Sequence, residues 1–405
     1  MERRWFGQHI EETTPTKVDK ATKLRLFELL VRSETFDNFM AKRFPQVKRY
    51  GLEGAESMMV ALDTIFSASS VGNFSLPLFF HFFFCFLFSK PLLTSVVSFL
   101  KPGGVEEIVV GMPHRGRLNL LTDLLKFSPT RLFHKIKGNK EFPPEIQADG
   151  DVISHLSEHS PCSFSSSSPN FSCPVSFVPG VFSPSSASSV DLPYNDRNVH
   201  VTVLHNPSHL EAVNPVAVGK ARGKQMYLYQ EKSKGNELGD CHIGDRVLCI
   251  QMHGDAAFTG QGIVMETLGL SALPHFASGG SVHLIVNNQI GFTTPAVNAS
   301  SGIYTSDVGK MINAPVIHVN GDHPESVVIA CKIAAAYRLK FRKDIIIDLI
   351  TYRRWGHNEL DEPAFTQPQM YKSIRSRKSV PILFSEKVQI PSLPYFFFFT
   401  FYFFS

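Results

Sequence analysis

Polar residues that follow two buried strands could bind a metal ion together with a phosphate group. Asp255 comes directly after the apolar stretch "DRVLCIQMHG", and Asn288 follows the stretch "SVHLIVN". The chain between them is long enough for one strand–helix–strand crossover, so the two side chains could converge at one edge of a parallel sheet. Magnesium prefers oxygen ligands and is usually bound by one or two carboxylates and by phosphates. Asp255, Asn288 and a nearby backbone carbonyl, such as that of Ile290, could therefore bind Mg²⁺ and a diphosphate.

Small residues surround the first of these positions. Gly254, Ala256 and Ala257 keep the turn after the strand narrow enough for a phosphate to approach. The alternative interpretation is that "GD" and "NN" are ordinary turn residues at the ends of strands.

Histidines and arginines lie in three further polar stretches. The stretch "PHRGR" places His114, Arg115 and Arg117 in a loop between a strand and a helix. A guanidinium group pairs bidentately with phosphate or carboxylate, and a histidine beside it could transfer protons near neutral pH. The stretches "GDVISH" and "HNPSHLE" add further histidines, among them His155 and His209. The alternative is a basic surface loop with structural histidines, although several histidines at strand ends of one sheet favour a functional role.

The elements that would position these residues alternate between strands and helices. A helix is predicted over residues 14–44 and a short buried strand over 108–110, and five strands are predicted within 199–355, one that begins at Val199 and four apolar ones after it. The helix after "APVIHVNG" is predicted to begin with a capping box, with Asp322 as N-cap and Glu325 three residues later. This alternation predicts an α/β fold with a parallel sheet covered on both faces. Ligands of such sheets bind outside the carboxyl ends of the strands.

The bulk composition excludes several classes of protein. The formal net charge of +4 is small for 405 residues and the basic residues are mixed with acids, which argues against a nucleic-acid partner. The six cysteines are dispersed without a C-x-x-C pair, which argues against a disulfide scaffold or a structural zinc site and fits a reducing compartment. The stretch "MERRWFGQHIEETT" is neither a secretory signal nor a transit peptide. We expect either a cytoplasmic protein or a sequence whose true beginning is absent.

Three segments depart from the composition of the rest of the chain. Residues 67–102 and 382–405 are rich in phenylalanine, and residues 161–189 consist largely of Ser, Pro and Phe without charge. Such Phe, Ser, Pro and Leu tracts are typical of translated non-coding sequence. The alternatives are a disordered linker for 161–189 and an apolar helix for 74–100. A membrane span is disfavoured there because Lys90 and Pro91 interrupt the apolar run.

A set of ordered motifs resembles a known enzyme family. The motifs are "RYGLEGAESMM", "GMPHRGRLNLL", "NPSHLEAVNPVAVGK", "HGDAAFTGQGIVMET", "VNNQIGFTT" and "YRRWGHNELDEPAFTQPQMYK". Together they resemble the thiamine-diphosphate-dependent dehydrogenase component of the 2-oxoglutarate dehydrogenase family, and within it the 2-oxoadipate dehydrogenase branch most. The resemblance covers residues 1–66, 103–160 and 188–381.

The resemblance implies a fold, a reaction and roles for individual residues. It implies a helical segment over 1–66 and the diphosphate-binding half of the thiamine diphosphate-binding fold over 103–381. The expected reaction is the oxidative decarboxylation of a dicarboxylic 2-oxo acid, with the cofactor as electron sink. The acyl group would pass to a lipoyl-bearing acyltransferase. The residues implied are Asp255, Asn288 and the carbonyl of Ile290 for magnesium, Arg115 and Ala256 for the cofactor, His114 and His155 for catalysis, and these two with His209 for the substrate.

The sequence also departs from the family pattern. The three unusual segments have no counterpart in it, and the pyrimidine-binding half of the family lies beyond the region of resemblance. The resemblance further implies a mitochondrial matrix location, although no targeting sequence is visible, and a homodimer for the complete protein. An alternative is a catalytically inactive truncated isoform, or a gene-model fragment, that acts at most as a binding subunit.

Overall fold

The core of the molecule is a seven-stranded, mostly parallel sheet. A computed structural model describes residues 2, 5, 18–71, 104–139, 152–155, 187–195, 197–234 and 242–389. Within these residues the strands are β1 (Glu107–Gly111), β2 (Ala187–Tyr194), β3 (Arg197–Leu204), β4 (Val247–Gly254), β5 (Ser281–Asn287), β6 (Ile290–Gly291), β7 (Thr294–Pro295), β8 (Val316–Asn320) and β9 (Ile345–Ile350). The large sheet has the order β2-β3-β1-β4-β5-β9-β8, and β6 and β7 form a separate two-stranded ladder. Only β2 runs antiparallel to its neighbour in the large sheet.

Helices cover both faces of this sheet. They are α1 (Lys20–Arg43), α2 (Ser57–Ser70), α3 (Arg117–Asn119, continued by a π-turn over Leu120–Leu124), α4 (Pro129–Ile136), α5 (Val213–Lys234), α6 (Asp255–Gly260), α7 (Gly262–Leu270), α8 (Ala296–Ala299), α9 (Pro324–Phe341), α10 (Pro368–Ser376) and α11 (Val380–Val388). Short 3₁₀ turns occupy Ile153–His155, Thr305–Ile312 and Pro363–Phe365. Helix α5 packs on β1 and β4, and α9 packs on β8 and β9 and against α2. The mixed α/β fold with a parallel sheet and a helical N-terminal segment is confirmed.

The central strands form because their sequences are apolar on both faces. Every residue of β4 except Gly254 is buried, and β5 and β9 are buried except at their last residues. A strand covered by helices on both sides gains from a continuous apolar run rather than from alternation. Helix α2 is buried in the same way at 13 of its 14 residues. Its buried polar side chains have partners, since Asp63 pairs with Arg25 and the Ser57 hydroxyl donates to the Gly321 carbonyl.

Helix α1 begins later than the residue pattern predicts. Asp19 is its N-cap and accepts a hydrogen bond from the Thr22 amide at 2.6 Å, which satisfies one of the free donors of the first turn. The predicted start at residues 14–15 lies outside the described residues.

The predicted capping box of α9 is wrong. Pro324 occupies the first helical position, so that His323, rather than Asp322, is the N-cap. The two carboxylates serve tertiary contacts instead. Asp322 pairs with Arg377 at 2.9 Å, and Glu325 pairs with Lys23 at 3.5 Å and also with Lys387.

Several observed elements cross the predicted segment boundaries. Helix α2 continues to Ser70, β2 begins at Ala187, and α11 extends to Val388. The assignment of 67–102, 161–189 and 382–405 as inserts or tail stays a prediction, since most of these residues lie outside the described ranges. The apolar segment 74–100 is also outside them. Among the described helices, none combines the length and the apolar character needed to cross a bilayer.

Candidate functional site

The structure brings Asp255 and Asn288 to the same edge of the sheet. Their strands are parallel neighbours in register, with Gly254 beside Val286. Both side chains line one cavity of about 490 Å³, together with Gly254, Ala256, Ile290 and Gly291. Asp255 is only 4% exposed and Asn288 only 8%, so the polar groups of this edge are largely shielded from solvent.

A strained turn fixes Asn288 and Ile290 beside the start of α6. The side-chain oxygen of Asn288 accepts a hydrogen bond from the Ile290 amide at 3.2 Å. Gln289 between them has a φ of 63°, a left-handed conformation that is rare for residues other than glycine and is often found at functional sites. Gly291 approaches α6 so closely that a Cβ atom there would lie 2.5 Å from the Cβ of Ala256. A glycine is therefore required at this position.

The buried carboxyl of Asp255 lacks compensation by a nearby cation. Burial raises the pKa of Asp255 to about 6. Hydrogen bonds from backbone amides, including those of Asn288 and Ala256, lower this pKa but do not outweigh the effect of burial. The neighbouring carboxylate of Asp348 raises this pKa further. A bound cation would offset both effects, because opposite charge favours the ionised form.

The oxygen atoms at this edge fit the donor set of a magnesium ion. Asp255 supplies a carboxylate, and the side-chain carbonyl of Asn288 has a second lone pair. Ile290 and Pro295 form a non-hydrogen-bonded pair of the β6–β7 ladder, since the Ala296 amide donates to the Gln289 carbonyl. The Ile290 carbonyl therefore points away from β7. Within the described part of the chain, no group of three or more His, Cys, Asp and Glu residues is placed to bind a metal. The three-oxygen set contains a single carboxylate, and phosphate oxygens would have to complete it.

Part of the wall of the same cavity is basic. It is lined by His114, Arg115, Arg353 and His357. Arg115 donates to the Gly51 carbonyl at 2.9 Å and to the His357 carbonyl at 2.6 Å. Burial lowers the pKa of Arg115 to about 10, so it remains charged at neutral pH. The wall therefore presents fixed positive charge to any ligand whose other end reaches Asp255.

The two histidines of this wall are neutral at neutral pH. Burial and the nearby guanidinium of Arg115 lower the pKa of His114 to about 3, and burial with Arg115 and Arg353 lowers the pKa of His357 to about 4. The ring of Tyr50 covers His114 at a centroid distance of 4.0 Å. Neutral imidazoles can donate one hydrogen bond and accept another. An anion bound between them would raise both pKa values and draw protons onto the rings.

Three other residues predicted from the sequence, His155, His209 and Arg117, are not among those that line the cavity. His155 is beside His114, with ring centroids 6.3 Å apart, and its Nδ1 lies 2.6 Å from the carbonyl of Asn206. His209 is exposed and is not among the residues that line the cavity. Arg117 is fully buried and donates to the carbonyls of Met112 and Leu204. Its guanidinium therefore holds the loop together and does not face a ligand.

Sequence reasoning missed Arg353 and His357 as parts of the site. Both follow β9, whose last residue Ile350 is paired with Asn287 of β5. Arg353 donates to the carbonyl of Trp355 and to that of Phe292, each at 3.0 Å. The signal was present, because polar residues after a third adjacent strand must reach the same sheet edge.

A buried chain of four ionisable groups supports the end of β4. Glu211 lies 2.6 Å from Nδ1 of His253, Nε2 of His253 lies 3.1 Å from His283, and His283 lies 3.2 Å from Asp344. Glu211 adopts a left-handed φ of 70° to make its contact. Both ring nitrogens of His253 have a partner, and His253 precedes Gly254 in β4. These contacts therefore fix the backbone that leads into Asp255.

These features define a class of protein before any comparison. An open α/β sheet carries a buried carboxylate and amide at the carboxyl ends of adjacent central strands, in one cavity with the side chains of Arg115 and Arg353. Such an edge suits a phosphate-bearing anionic ligand bound through a divalent cation.

Comparison with known proteins identifies the family. The family model described as "Dehydrogenase E1 component" matches residues 175–392, more than half of the chain, and the chain belongs to this family. It is similar to the 2-oxoadipate dehydrogenase complex component E1 of Rattus norvegicus, with 46% identity over 386 residues that make up 95% of this chain and 35% of the relative. The Homo sapiens protein of the same name is 47% identical over 388 residues, again 95% and 35%.

A relative from a second branch is less similar. The 2-oxoglutarate dehydrogenase E1 component of Brucella ovis is 37% identical over 393 residues, which cover 96% of this chain and 32% of that protein. The stronger resemblance to the 2-oxoadipate branch is therefore confirmed. The chain spans about a third of the length of these curated relatives.

Proposed function

We propose that this chain forms the diphosphate-binding half-site of a thiamine-diphosphate-dependent 2-oxo acid dehydrogenase component. The observation that carries the proposal is the placement of Asp255 and Asn288 at adjacent strand ends, in one cavity with the basic wall. Asp255, Asn288 and the Ile290 carbonyl are the groups that would hold Mg²⁺, and the ion would supply positive charge for the diphosphate. Ala256 has a small side chain that lets the diphosphate approach the turn after β4. The positive charge of Arg115 favours binding of the anionic end of the cofactor.

In this proposal the arginines of the cavity bind the substrate, and the histidines transfer protons. Thiamine diphosphate, when bound, supplies the electron sink for loss of carbon dioxide from a 2-oxo acid. Arg115 and Arg353 provide the positive charge that an anionic substrate requires. His114 enters as a neutral imidazole and takes up a proton as negative charge arrives beside it. His155, 6.3 Å from His114 in ring-centroid distance, is the second proton-transferring group. His209, which is exposed, can contact a substrate only outside the cavity.

The substrate we propose is a dicarboxylic 2-oxo acid, with 2-oxoadipate preferred over 2-oxoglutarate. Support comes from the higher identity to relatives named for 2-oxoadipate. The acyl group passes to a lipoyl-bearing acyltransferase, and the full-length protein acts as a homodimer in the mitochondrial matrix. These parts of the proposal concern the whole protein, of which the chain spans about a third by comparison with its relatives.

A steady-state assay tests this proposal. A full-length protein that carries this chain is supplied with Mg²⁺, thiamine diphosphate and an artificial electron acceptor, and carbon dioxide release is measured with 2-oxoadipate and with 2-oxoglutarate. We expect kcat/KM to be at least about tenfold higher for 2-oxoadipate, a difference of about 1.4 kcal/mol in transition-state binding. The variant Asp255→Ala should lose turnover, and the control Asp307→Asn, at a partly exposed carboxylate that does not line the cavity, should keep it. Absence of turnover with both acids would overturn the proposal, and equal efficiency would overturn the substrate preference.

A further inference from the structure

A strongly basic surface borders the His114 side of the cavity. It consists of the exposed side chains Lys42, Arg43, Lys48, Arg131 and Lys137, and we call it the basic surface. The first three lie at the end of α1 and in the following loop, and the other two lie on and just after α4.

Aromatic packing joins the two parts of the basic surface. The ring of Phe133 on α4 lies 5.4 Å from that of Phe39 on α1 and 5.7 Å from that of Phe44, centroid to centroid. The three rings form a small apolar cluster, with centroid distances in the range of favourable aromatic pairs. The end of α1 is thereby fixed to α4, and the cations around the cluster share one face.

Among the described residues, the cations of the basic surface have no acidic partner. The segments 38–48 and 128–139 contain no Asp or Glu. For its five cations, no ion pair is found within the described residues. Lys42 and Arg43 suit the negative end of the α1 dipole. That explanation fails for Arg131, which lies in the first turn of α4, where the dipole disfavours a cation.

The location of the basic surface links it to the cavity. Helix α4 packs against the 3₁₀ turn Ile153–His155, and the ring of His155 lies 6.3 Å from that of His114. On the other side, Tyr50 follows Lys48 by two residues and stacks on His114 at 4.0 Å. A partner bound to this surface would therefore stand beside the two histidines that face the substrate in the proposed function.

We infer that the basic surface docks an acidic protein domain, namely the acyl-accepting domain of the partner acyltransferase. The inference rests on the proposed function. A membrane is a poorer partner, because no large apolar side chain within 38–48 or 128–139 is among the exposed ones. A nucleic acid is a poorer partner because the aromatic rings of the cluster pack against one another rather than offer faces for stacking. Exposed charges of this kind steer association and raise its rate, with a strong dependence on salt.

Charge reversal in the full-length protein tests the docking surface. The probe is the purified lipoyl-bearing domain of the acyltransferase, titrated by calorimetry at low and high salt. The triple variant Lys42→Glu, Arg131→Glu, Lys137→Glu should raise the Kd at least about tenfold at low salt, and Arg131→Glu alone about threefold. The matched control is Lys332→Glu. Lys332 is exposed and acts electrostatically on Asp19, the N-cap of α1, which lies about 35 Å along the helix axis from Lys42. It should leave the Kd unchanged.

The outcomes separate this inference from the proposed function. Decarboxylation with the artificial acceptor should be the same in the triple variant and the wild type, because none of the altered side chains lines the cavity. Loss of decarboxylation in the wild type would refute the proposed function and leave the calorimetric titration to decide the docking. An unchanged Kd in the triple variant would overturn the inference. It would also be overturned if phosphatidylserine vesicles or single-stranded RNA bound this surface while the lipoyl-bearing domain did not.

Discussion

The variant Asp255→Asn should make the ligand-free protein more stable while it abolishes cofactor binding. Burial raises the pKa of Asp255 from 3.8 to about 6. Each pKa unit corresponds to about 1.4 kcal/mol, so the ionised carboxylate destabilises the folded state by about 3 kcal/mol at neutral pH. Because the folded pKa is raised, the stability that depends on the protonated group is complete below pH 3.8 and is lost as the pH rises through 6.

The gain in the variant should follow the same pH window. An Asn oxygen at position 255 can still accept from backbone amides, but its amide group needs an acceptor of its own, which offsets part of the gain. We therefore expect the free energy of unfolding of Asp255→Asn to exceed that of the wild type by about 1–3 kcal/mol at pH 7.5, and the difference to vanish near pH 4.

Urea unfolding measured at both pH values gives this difference from the midpoint and the slope. The control Asp307→Asn removes a partly exposed carboxyl whose pKa is lowered chiefly by its hydrogen bond from Lys310, and it should show no gain at pH 7.5. Addition of Mg²⁺ and thiamine diphosphate at about 100 times Kd should stabilise the wild type by about 2.7 kcal/mol and leave Asp255→Asn unchanged. A variant that is less stable than the wild type at pH 7.5, or a gap that does not change with pH, would refute this reasoning.

Two further variants test the local geometry of the site. Because the folded pKa of His114 is lowered from 6.5 to about 3, the stability that depends on its neutral form is present above pH 6.5 and falls at lower pH. His114→Asn should therefore lose about 2 kcal/mol less stability than the wild type between pH 7 and pH 5, and an equal loss in urea titrations would contradict the lowered pKa. Gly291→Ala places a Cβ 2.5 Å from that of Ala256 and should lower the unfolding free energy by about 1–3 kcal/mol. The control Gly269→Ala, a helical position with open space, should raise it by up to about 1 kcal/mol, so equal shifts in thermal melts of the two glycine variants would speak against the close approach.

The sheet and the pairing of Asp255 with Asn288 were accessible from the sequence. Continuous apolar runs identify central strands, and the length of the segment between two strands indicates whether they can be parallel neighbours. The polar residues that follow β4 and β5 then share one edge by geometry alone. Arg353 and His357 obey the same rule after β9, but they lie in an irregular segment, where no periodicity indicates which polar side chains line the cavity.

Other features depend on contacts that leave no local pattern. His253 and Glu211 are 42 residues apart in the sequence, and neither segment alone indicates that a buried carboxylate meets a buried imidazole. The capping box at Asp322 and Glu325 has the right spacing, but both side chains form ion pairs with distant residues, and Pro324 moves the helix start by one position. In both examples the position of the side chain is set by tertiary contacts rather than by the local sequence.

The central claim is that Asp255 and Asn288 bind the diphosphate of thiamine diphosphate through a magnesium ion. The most direct test is a calorimetric titration of thiamine diphosphate into the full-length protein, with Mg²⁺ present and with the metal removed by chelator. The predicted result is saturable binding with one site per chain in Mg²⁺ and at least about a hundredfold weaker binding without it, because two anionic groups then face the buried carboxylate uncompensated. Equal affinity with and without the metal would contradict the account.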